Sequence, residues 1–301
     1  MNPIIHIIRW AQVRANAPRI AANPNPYGVC IRADLPYRDD GNPDHTLDVY
    51  SPAPDAPRLP VIVELHGGGY LSCSKEINAQ HGQYLASRGF HVVNMNYTLC
   101  PEGDLSVILN ELSDALDWVG QNAERFGFDL SRVHLTGDSA GGHIVLLTAA
   151  IHATGKSADF FRVRKPAVTV KSYAASCPQG SFAWRHLPRN LPATLGFLIL
   201  HKFTLDREYA RHAAYDYFMD AGYPRVWFCA TPTDRLLYSQ IRRMHEYMVA
   251  HNIPHEYREY TSQARRLDHV FNILRPDYPE SRAANDDMIA FFNNTQPDDR
   301  S

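Results

Sequence analysis

The chain has 301 residues, of which 45% are hydrophobic and 21% are charged, and its formal net charge is −2. This composition is close to the average for globular proteins and excludes a disordered chain, a collagen and a coiled coil. The sequence has neither the basic surface expected of a nucleic-acid-binding protein nor an apolar run of the ~18 residues that a membrane span requires.

The N-terminal segment has apolar residues at helical spacing, with Ile4 and Ile8 on one side, which predicts a helix within residues 1–22. Arg9 interrupts the apolar run early and no basic leader precedes it, so we expect no signal peptide and a cytoplasmic location. We interpret this helix as a cap over a substrate pocket. A homodimer contact, a membrane-surface anchor and disorder are the alternatives.

Runs of β-branched or alternating apolar residues, bounded by turn residues, predict eight strands. They are Tyr27–Pro36, Thr46–Ser51, Pro60–Leu65, His91–Tyr97, Arg132–Thr136, Val168–Tyr173, Arg225–Thr231 and His255–Tyr260. Helical patterns follow at Asn78–Ser87, Leu105–Phe126, Ala140–Ala153, Leu236–Ala250 and Pro279–Phe292. This alternation predicts one α/β domain over residues 1–301, with a mainly parallel eight-stranded sheet and helices on both faces. The first two strands are expected to form an antiparallel edge.

Residues 176–224 interrupt the alternation with a long segment rich in aromatic residues, among them Phe182, Trp184 and Phe197. Long insertions between strands are uncommon and are usually functional. The segment is therefore interpreted as a small helical lid or as the wall of a substrate pocket. An ordinary crossover with extra helices is the alternative.

The first motif that carries chemistry is Gly-Asp-Ser-Ala-Gly at residues 137–141, which contains G-x-S-x-G. It lies where a predicted strand gives way to a predicted helix. A nucleophile elbow requires this context, because the sharp turn exposes the serine hydroxyl at the carboxyl edge of the sheet. Ser139 is the predicted nucleophile, and Asp138 is expected to brace the elbow. The alternative is a glycine-rich helix start packed on a strand.

The second motif, His66-Gly-Gly-Gly-Tyr70, directly follows a predicted strand. Three glycines let backbone N–H groups turn into a cavity without Cβ clashes, and this pattern pairs with G-x-S-x-G as the other half of an oxyanion hole. The predicted donors are the N–H groups of Gly68, Gly69 and Ala140, and the side chains of Tyr70 and His66 are predicted to bind substrate. A tight turn or a phosphate cradle is the alternative, but no P-loop lysine follows.

A serine nucleophile requires a base, and the base requires an acid that orients it. In proteins with a nucleophile elbow of this kind, the chain order of the three residues is serine, then acid, then histidine. His269 is the predicted base, because it follows the last predicted strand in a loop before the final helix. His245, His251 and His255 are its rivals.

Asp234 is the predicted acid, because it lies just past the carboxyl end of a strand, where ligands bind in open α/β sheets. Asp268 is its rival, but as the sequence neighbour of His269 it is badly placed to hold the far side of the ring. Glu259 is expected to lie on a strand. The five cysteines are scattered and form no C-x-x-C pair, so reduced, buried thiols are expected and neither a disulfide framework nor a metal site is.

These motifs resemble the α/β-hydrolase esterases of the hormone-sensitive-lipase-like group and the related bacterial feruloyl and acetyl-xylan esterases. The similarity covers about Thr46 to Phe292. It implies ester hydrolysis without a cofactor, in which Ser139 attacks, His269 shuttles the proton and Asp234 orients the imidazole. The sequence after the acid reads Arg-Leu-Leu-Tyr, where many lipase-like members have Pro-Leu-x-Asp-Glu, so the subfamily stays open.

The resemblance leaves several functions to be weighed. The first hypothesis is a serine esterase that acts on small esters with short acyl chains. An amidase, for example an arylformamidase, uses the same fold and a similar His-Gly-Gly motif. A peptidase would require a gating domain, which the sequence does not indicate. A non-catalytic ligand receptor on this scaffold keeps the glycines but loses the histidine, whereas this chain has His269.

Overall fold

The computed structural model describes residues 3–21, 25–181 and 206–294. Within them, eight strands form one sheet in the order β1-β2-β4-β3-β5-β6-β7-β8. They are β1 (Cys30–Pro36), β2 (Thr46–Ser51), β3 (Leu59–Leu65), β4 (His91–Met95), β5 (Phe128–Asp138), β6 (Ser172–Ser176), β7 (Val226–Ala230) and β8 (His255–Glu259). β2 pairs antiparallel with β1 and β4, and the strands from β4 to β8 are parallel. The predicted mainly parallel sheet with an antiparallel edge is confirmed.

Eleven helices are present in the described part of the chain, and the longer ones flank the sheet. They are α1 (Pro3–Ala21), α2 (Ala79–Ser87), α3 (Leu105–Gln121), α4 (Ala123–Phe126), α5 (Ala140–Thr154), α6 (Ala158–Phe161), α7 (Arg207–His212), α8 (Tyr215–Phe218), α9 (Tyr238–Ala250), α10 (Phe271–Leu274) and α11 (Pro279–Asn294). Short 3₁₀ turns occur at Pro43–His45 and Lys75–Ile77.

The core lies on both faces of the sheet. Successive side chains of a strand point to opposite faces, so Trp227 packs with α2 and α11, whereas Phe228 packs with the larger cluster around α3, α5 and α9. Both residues are fully buried. Burial on both faces is what a parallel sheet with helical crossovers requires, and it explains why the central strands read as continuous apolar runs.

The sixth strand is the element whose prediction was wrong in position. The valines at 168 and 170 predict a strand over Val168–Tyr173, but the strand that pairs with β5 and β7 is Ser172–Ser176. Val168 and Val170 are buried in the core just before the strand begins. The strand itself is rich in serine and alanine, because strand formation here depends on fully buried neighbours rather than on β-propensity.

The predicted helix over Leu105–Phe126 is divided at Asn122. The side-chain amide of Asn122 donates to the carbonyl of Trp118 at 2.9 Å. The last segment, α4, ends at Phe126 and is capped by Gly127, which has a φ of 75°. Asparagine side chains compete with the backbone for hydrogen bonds, so they favour helix ends. The amphipathic pattern continues past this residue and therefore hides the break.

Two segments that the sequence singled out are described in part. Of residues 176–224, the structure describes 176–181 and 206–224, where α7 and α8 lie, and Phe182, Trp184 and Phe197 are outside the described residues. α1 covers most of the predicted N-terminal helix, and the side chains of Ile4 and Ile8 are also outside the description. Among the helices that the structure describes, none is long and apolar enough to cross a bilayer.

Candidate active site

The turn between β5 and α5 holds Ser139 in an unusual backbone conformation. Its φ is 51° and its ψ is −114°, a region that costs a non-glycine residue roughly 1–3 kcal/mol. The surrounding backbone fixes it, because its N–H donates to the carbonyl of Ser176 and its carbonyl accepts from the N–H of Gln179, both at 3.0 Å. This geometry is that of a nucleophile elbow.

Glycine is required where the elbow meets β3. A Cβ at Gly141 would collide with the carbonyl oxygen of Leu65 and lie 2.7 Å from that of His66. A Cβ at Gly67 would lie 3.1 Å from the Cβ of Ser139. The helix start and the His-Gly-Gly-Gly loop therefore approach more closely than any side chain allows, which explains why both motifs are rich in glycine.

Three predicted side chains meet at the carboxyl ends of β5, β7 and β8. Nε2 of His269 lies 2.9 Å from Oγ of Ser139, and its Nδ1 lies 2.7 Å from Oδ2 of Asp234. A carboxylate accepts the proton on Nδ1, so Nε2 carries a free lone pair and accepts from the serine hydroxyl. The arrangement provides a serine with an oriented base.

Asp234 is kept ionised although its side chain is buried. Burial alone would raise its pKa, but the hydrogen bond from His269 and those from the backbone N–H groups of Leu236 and Leu237 hold the pKa below its ordinary value. Oδ1 accepts these two N–H groups at 2.7 and 3.1 Å. Both oxygens therefore have partners, and the carboxylate cannot rotate without losing one of them.

The rival residues lie elsewhere. The side chain of Asp268 is 74% exposed and pairs with Arg266 at 3.0 Å. His255 and His245 hydrogen-bond with each other at 2.9 Å, and His251 is exposed. Glu259 accepts from Tyr238 and Tyr257 near the sheet edge at β8.

The predicted oxyanion donors lie in the loop after β3 and at the start of α5. The carbonyl of Gly68 accepts from the N–H groups of Leu71 and Ser72, both at 3.2 Å, which closes the loop into a tight turn, and Gly68 has a φ of 112°. Ala140 is the first residue of α5, where helix N–H groups lack partners inside the helix. The N–H groups of Gly68, Gly69 and Ala140 have no acceptor within the described residues.

Comparisons with known proteins agree with this fold. The family model BD-FAE matches residues 47–174. The crystal structure of an inhibited esterase B from Lactobacillus rhamnosis superposes with a TM-score of 0.86 at 25% identity, covering 97% of this chain and 96% of that one. The chain therefore has the α/β-hydrolase fold of this esterase.

Curated relatives match the chain over a shorter range. Carboxylesterase NlhH of Mycobacterium tuberculosis is 35% identical over 116 residues, which is 37% of this chain and 35% of that protein. Isoprenylcysteine α-carbonyl methylesterase of Arabidopsis thaliana is 32% identical over 124 residues, 41% of this chain and 29% of that protein. The matches thus span about a third of the length of these relatives.

A buried polar network, which the sequence does not reveal, supports the glycine loop that follows β3. Oδ1 of Asp138 accepts from the N–H of Gly67 at 3.0 Å and from the side-chain amide of Asn78 at 2.9 Å. The same amide donates to Glu64 at 3.1 Å, and Glu64 lies 2.5 Å from Nδ1 of His81. Burial raises the pKa of Asp138 to about 6, although the bond from Asn78 opposes the shift. Asp138 thus joins the elbow to the loop.

The two side chains predicted to bind substrate are both buried. The hydroxyl of Tyr70 lies 2.8 Å from Nδ1 of His143, and His143 reaches the carbonyl of Ala213 at 2.7 Å. His66 stacks on Tyr97 with ring centroids 4.3 Å apart, and burial lowers the pKa of His66 to about 4. These contacts give both residues structural partners, and a role in substrate binding stays a prediction.

The structure also places Cys177, which the sequence does not single out, after β6 and between the strands that carry Ser139 and Asp234. Its sulfur, a carboxylate oxygen of Asp234 and a ring nitrogen of His269 all lie within 4.8 Å of one another. The strand order would have indicated this proximity, because the carboxyl ends of adjacent parallel strands meet at one edge. A strand predicted to end at Tyr173 placed Cys177 outside that edge.

Helix α1 lies over the loop that follows the glycine triplet. The guanidinium of Arg9 donates to the carbonyls of Leu71 and Cys100 at 2.7 and 2.8 Å and pairs with Glu102 at 2.6 Å. An apolar groove of about 530 Å³ lies between this helix and residues 72–77. The groove begins at Ser72, which hydrogen-bonds with Gly68 through its side chain.

Proposed function

We propose that this α/β-hydrolase is a serine carboxylesterase that hydrolyses small esters with short acyl chains through an acyl-serine intermediate. The observation that carries the proposal is the hydrogen-bonded series from Asp234 through His269 to Ser139, with distances of 2.7 and 2.9 Å. A series of this kind activates a serine that is otherwise a weak nucleophile.

In the proposed mechanism, Oγ of Ser139 attacks the ester carbonyl carbon while Nε2 of His269 takes the hydroxyl proton. The carbonyl oxygen becomes an oxyanion that accepts hydrogen bonds from the N–H groups of Gly68, Gly69 and Ala140. Each such donor lowers the barrier by about 3 kcal/mol. His269 then gives its proton to the leaving alcohol. Water, activated by the same imidazole, releases the acid from the serine.

The preference for short acyl chains is supported by a structural neighbour. Esterase B from Lactobacillus rhamnosis has also been solved with a tributyrin phosphonate inhibitor, and that structure matches with a TM-score of 0.82 at 27% identity. The groove beneath α1 provides an apolar surface next to the oxyanion loop, and we propose that it holds the apolar part of the ester. The cytoplasmic location and the homodimer contact stay predictions.

The proposal is tested by hydrolysis of p-nitrophenyl esters from acetate to laurate. Wild type should hydrolyse acetate to butyrate, and Ser139→Ala should lose the activity while it keeps the far-UV circular dichroism of the wild type. Asp234→Asn should lower kcat by about 10⁴-fold, because the imidazole then adopts the wrong tautomer. The matched control is Asp268→Asn, which removes a carboxylate next to His269 in sequence and should change kcat less than about twofold.

The amidase and receptor alternatives give different results in the same assays. An amidase would cleave an acyl anilide faster than the matched ester. A receptor would cleave neither, and a fluorophosphonate would not label Ser139. The presence of His269 beside Ser139 supports the hydrolase, since a receptor on this scaffold has no need of a base. Activity that persists in Ser139→Ala would refute the proposal.

A further inference from the structure

We propose that Cys177, Asp234 and His269 form a binding site for a borderline-soft divalent cation such as Zn²⁺ or Cd²⁺, and that occupancy of this site inactivates the base. The thiol sulfur, a carboxylate oxygen and a ring nitrogen lie within 4.8 Å of one another. The absence of cysteine pairs in the sequence argued against a metal site. This set is instead assembled from three separate segments.

The fold brings the three side chains together through the sheet. Cys177 follows β6, Asp234 follows β7 and His269 lies in the loop after β8, and these strands are neighbours in the sheet. Cys177 is held in place by its N–H, which donates to the carbonyl of Cys229 at 3.0 Å, and by a φ of 45°. Asp234 is fixed by the two N–H groups described above. The Asp234 carboxylate and the backbone of Cys177 are therefore fixed before any metal binds.

The donor set matches the coordination chemistry of zinc. Zn²⁺ bonds of about 2.0 Å to nitrogen and oxygen and about 2.3 Å to sulfur place tetrahedral ligands roughly 3.3–3.6 Å apart. Nδ1 of His269 and Oδ2 of Asp234 are 2.7 Å apart, so they need to separate by less than 1 Å (about 0.6 Å). Mg²⁺ and Ca²⁺ prefer oxygen ligands alone. One thiolate selects the softer metals, and a water molecule would fill the fourth position.

Metal binding at Nδ1 would invert the role of His269. Without the metal, Nδ1 carries the ring proton and Nε2 accepts from Ser139. With the metal on Nδ1, the ring proton moves to Nε2, which can then only donate to the serine. The neutral imidazole keeps its proton count, and the Cys177 thiol releases one proton to solvent for each metal ion bound. The base is lost although all three triad residues remain.

The site is open to solvent on the side of the imidazole. The side chain of His269 is 21% exposed, whereas Cys177 and the Asp234 side chain are fully buried. A metal ion would therefore enter from the active-site side. Metal binding itself does not depend on the proposed esterase function, but the inhibition does.

Binding is tested on the reduced full-length chain with Cd²⁺ alone as the probe. Wild type should develop the ultraviolet thiolate-to-cadmium charge-transfer band. Loss of even a second-shell partner weakens metal sites about 10–100-fold, so Cys177→Ser should weaken Cd²⁺ binding at least about tenfold. The control is Cys30→Ser on β1 at the opposite edge of the sheet, which should bind like wild type. Equal Cd²⁺ binding by the two variants would overturn the proposal.

A second measurement needs no variant. Zinc-edge X-ray absorption of the wild-type chain with one equivalent of Zn²⁺ should show one sulfur at about 2.3 Å. A shell of nitrogen and oxygen alone would overturn the site even if Cys177→Ser fails to fold.

Inhibition is measured separately with p-nitrophenyl acetate. Zn²⁺ should inhibit wild type and Cys30→Ser reversibly, with recovery in EDTA. For Cys177→Ser, with rates taken relative to its own basal rate, the Zn²⁺ concentration that gives the same inhibition should be at least about tenfold higher. Mg²⁺ at the same concentration should have no effect. Cd²⁺ binding through Cys177 without inhibition would refute the tautomer mechanism. If wild type hydrolyses no ester, the esterase proposal fails, while the absorbance results still decide the metal site.

Discussion

The substitution Asp138→Asn should stabilise the protein at neutral pH, although Asp138 is a buried residue at the centre of the site. Asparagine has the same shape and keeps an oxygen that accepts from Gly67 and Asn78. It removes a negative charge that is buried next to the carboxylate of Glu64. The change therefore separates the hydrogen-bonding role of this side chain from the cost of its charge.

The size of the stability difference follows from the pKa of Asp138. Burial raises the pKa of Asp138 from 3.8 to about 6, so the folded protein binds the proton more tightly than the unfolded chain. The stabilisation that results from protonation is fully present below the unfolded pKa and is lost as the pH rises through 6. At about 1.36 kcal/mol per pKa unit, the ionised side chain costs about 3 kcal/mol at pH 8 and about 1 kcal/mol at pH 4.5.

The assay is urea unfolding at about pH 8 and about pH 4.5. The free energy of unfolding of Asp138→Asn should exceed that of wild type by about 3 kcal/mol at the higher pH. This difference should shrink to about 1 kcal/mol at the lower pH. Asp268→Asn, an exposed control, should match wild type at both. Asp138→Ala leaves two buried donors without an acceptor, at a cost of about 1–3 kcal/mol each, and should also lower kcat.

Two outcomes would contradict this reasoning. If Asp138→Asn is less stable than wild type by the same amount at both pH values, the hydrogen bonds to the ionised carboxylate outweigh its burial. If its kcat falls as far as that of Asp138→Ala, the loop depends on the charge of Asp138 and not on the acceptor for Gly67. Otherwise kcat should stay within about tenfold of wild type.

Three further predictions concern the surroundings of the site. Tyr70→Phe should lower the free energy of unfolding by about 1–3 kcal/mol, because the buried Nδ1 of His143 loses a hydrogen-bond donor, and KM should stay unchanged. A raised KM with unchanged stability would favour substrate binding by Tyr70. Arg9→Ala should speed amide hydrogen exchange in α1 by about tenfold or more, because α1 then loses the hydrogen bonds of Arg9 to two loop carbonyls. Arg14→Ala, on the same helix, should not speed it. Equal effects of the two substitutions would show that the contacts of Arg9 do not fix the helix. Ala17→Trp, which fills the groove beneath α1, should raise KM for hexanoate more than for acetate, and an equal change for both esters would place the acyl chain elsewhere.

The parts of the site that the sequence predicts are those that depend on backbone chemistry. Gly141 is needed because the helix start touches the backbone of β3, and this requirement leaves a pattern of glycines that is visible without a structure. The same holds for the order of serine, acid and histidine, since each of them follows a strand that the sequence predicts. Gly68, with a φ of 112°, belongs to this class as well.

The missed residues act through side-chain contacts that no periodicity records. Glu64 lies in the strand β3, and a carboxylate in a strand ordinarily indicates an exposed position. Glu64 is buried because His81 and Asn78 from the next segment hydrogen-bond with it. Cys177 resembles any other buried thiol until the register of β6 is known. A shift of that strand toward its carboxyl end moves Cys177 from a crossover to the edge where Asp234 and His269 meet. Small errors in strand position are therefore most costly at the carboxyl edge of the sheet, because that edge is where the chemistry is assembled.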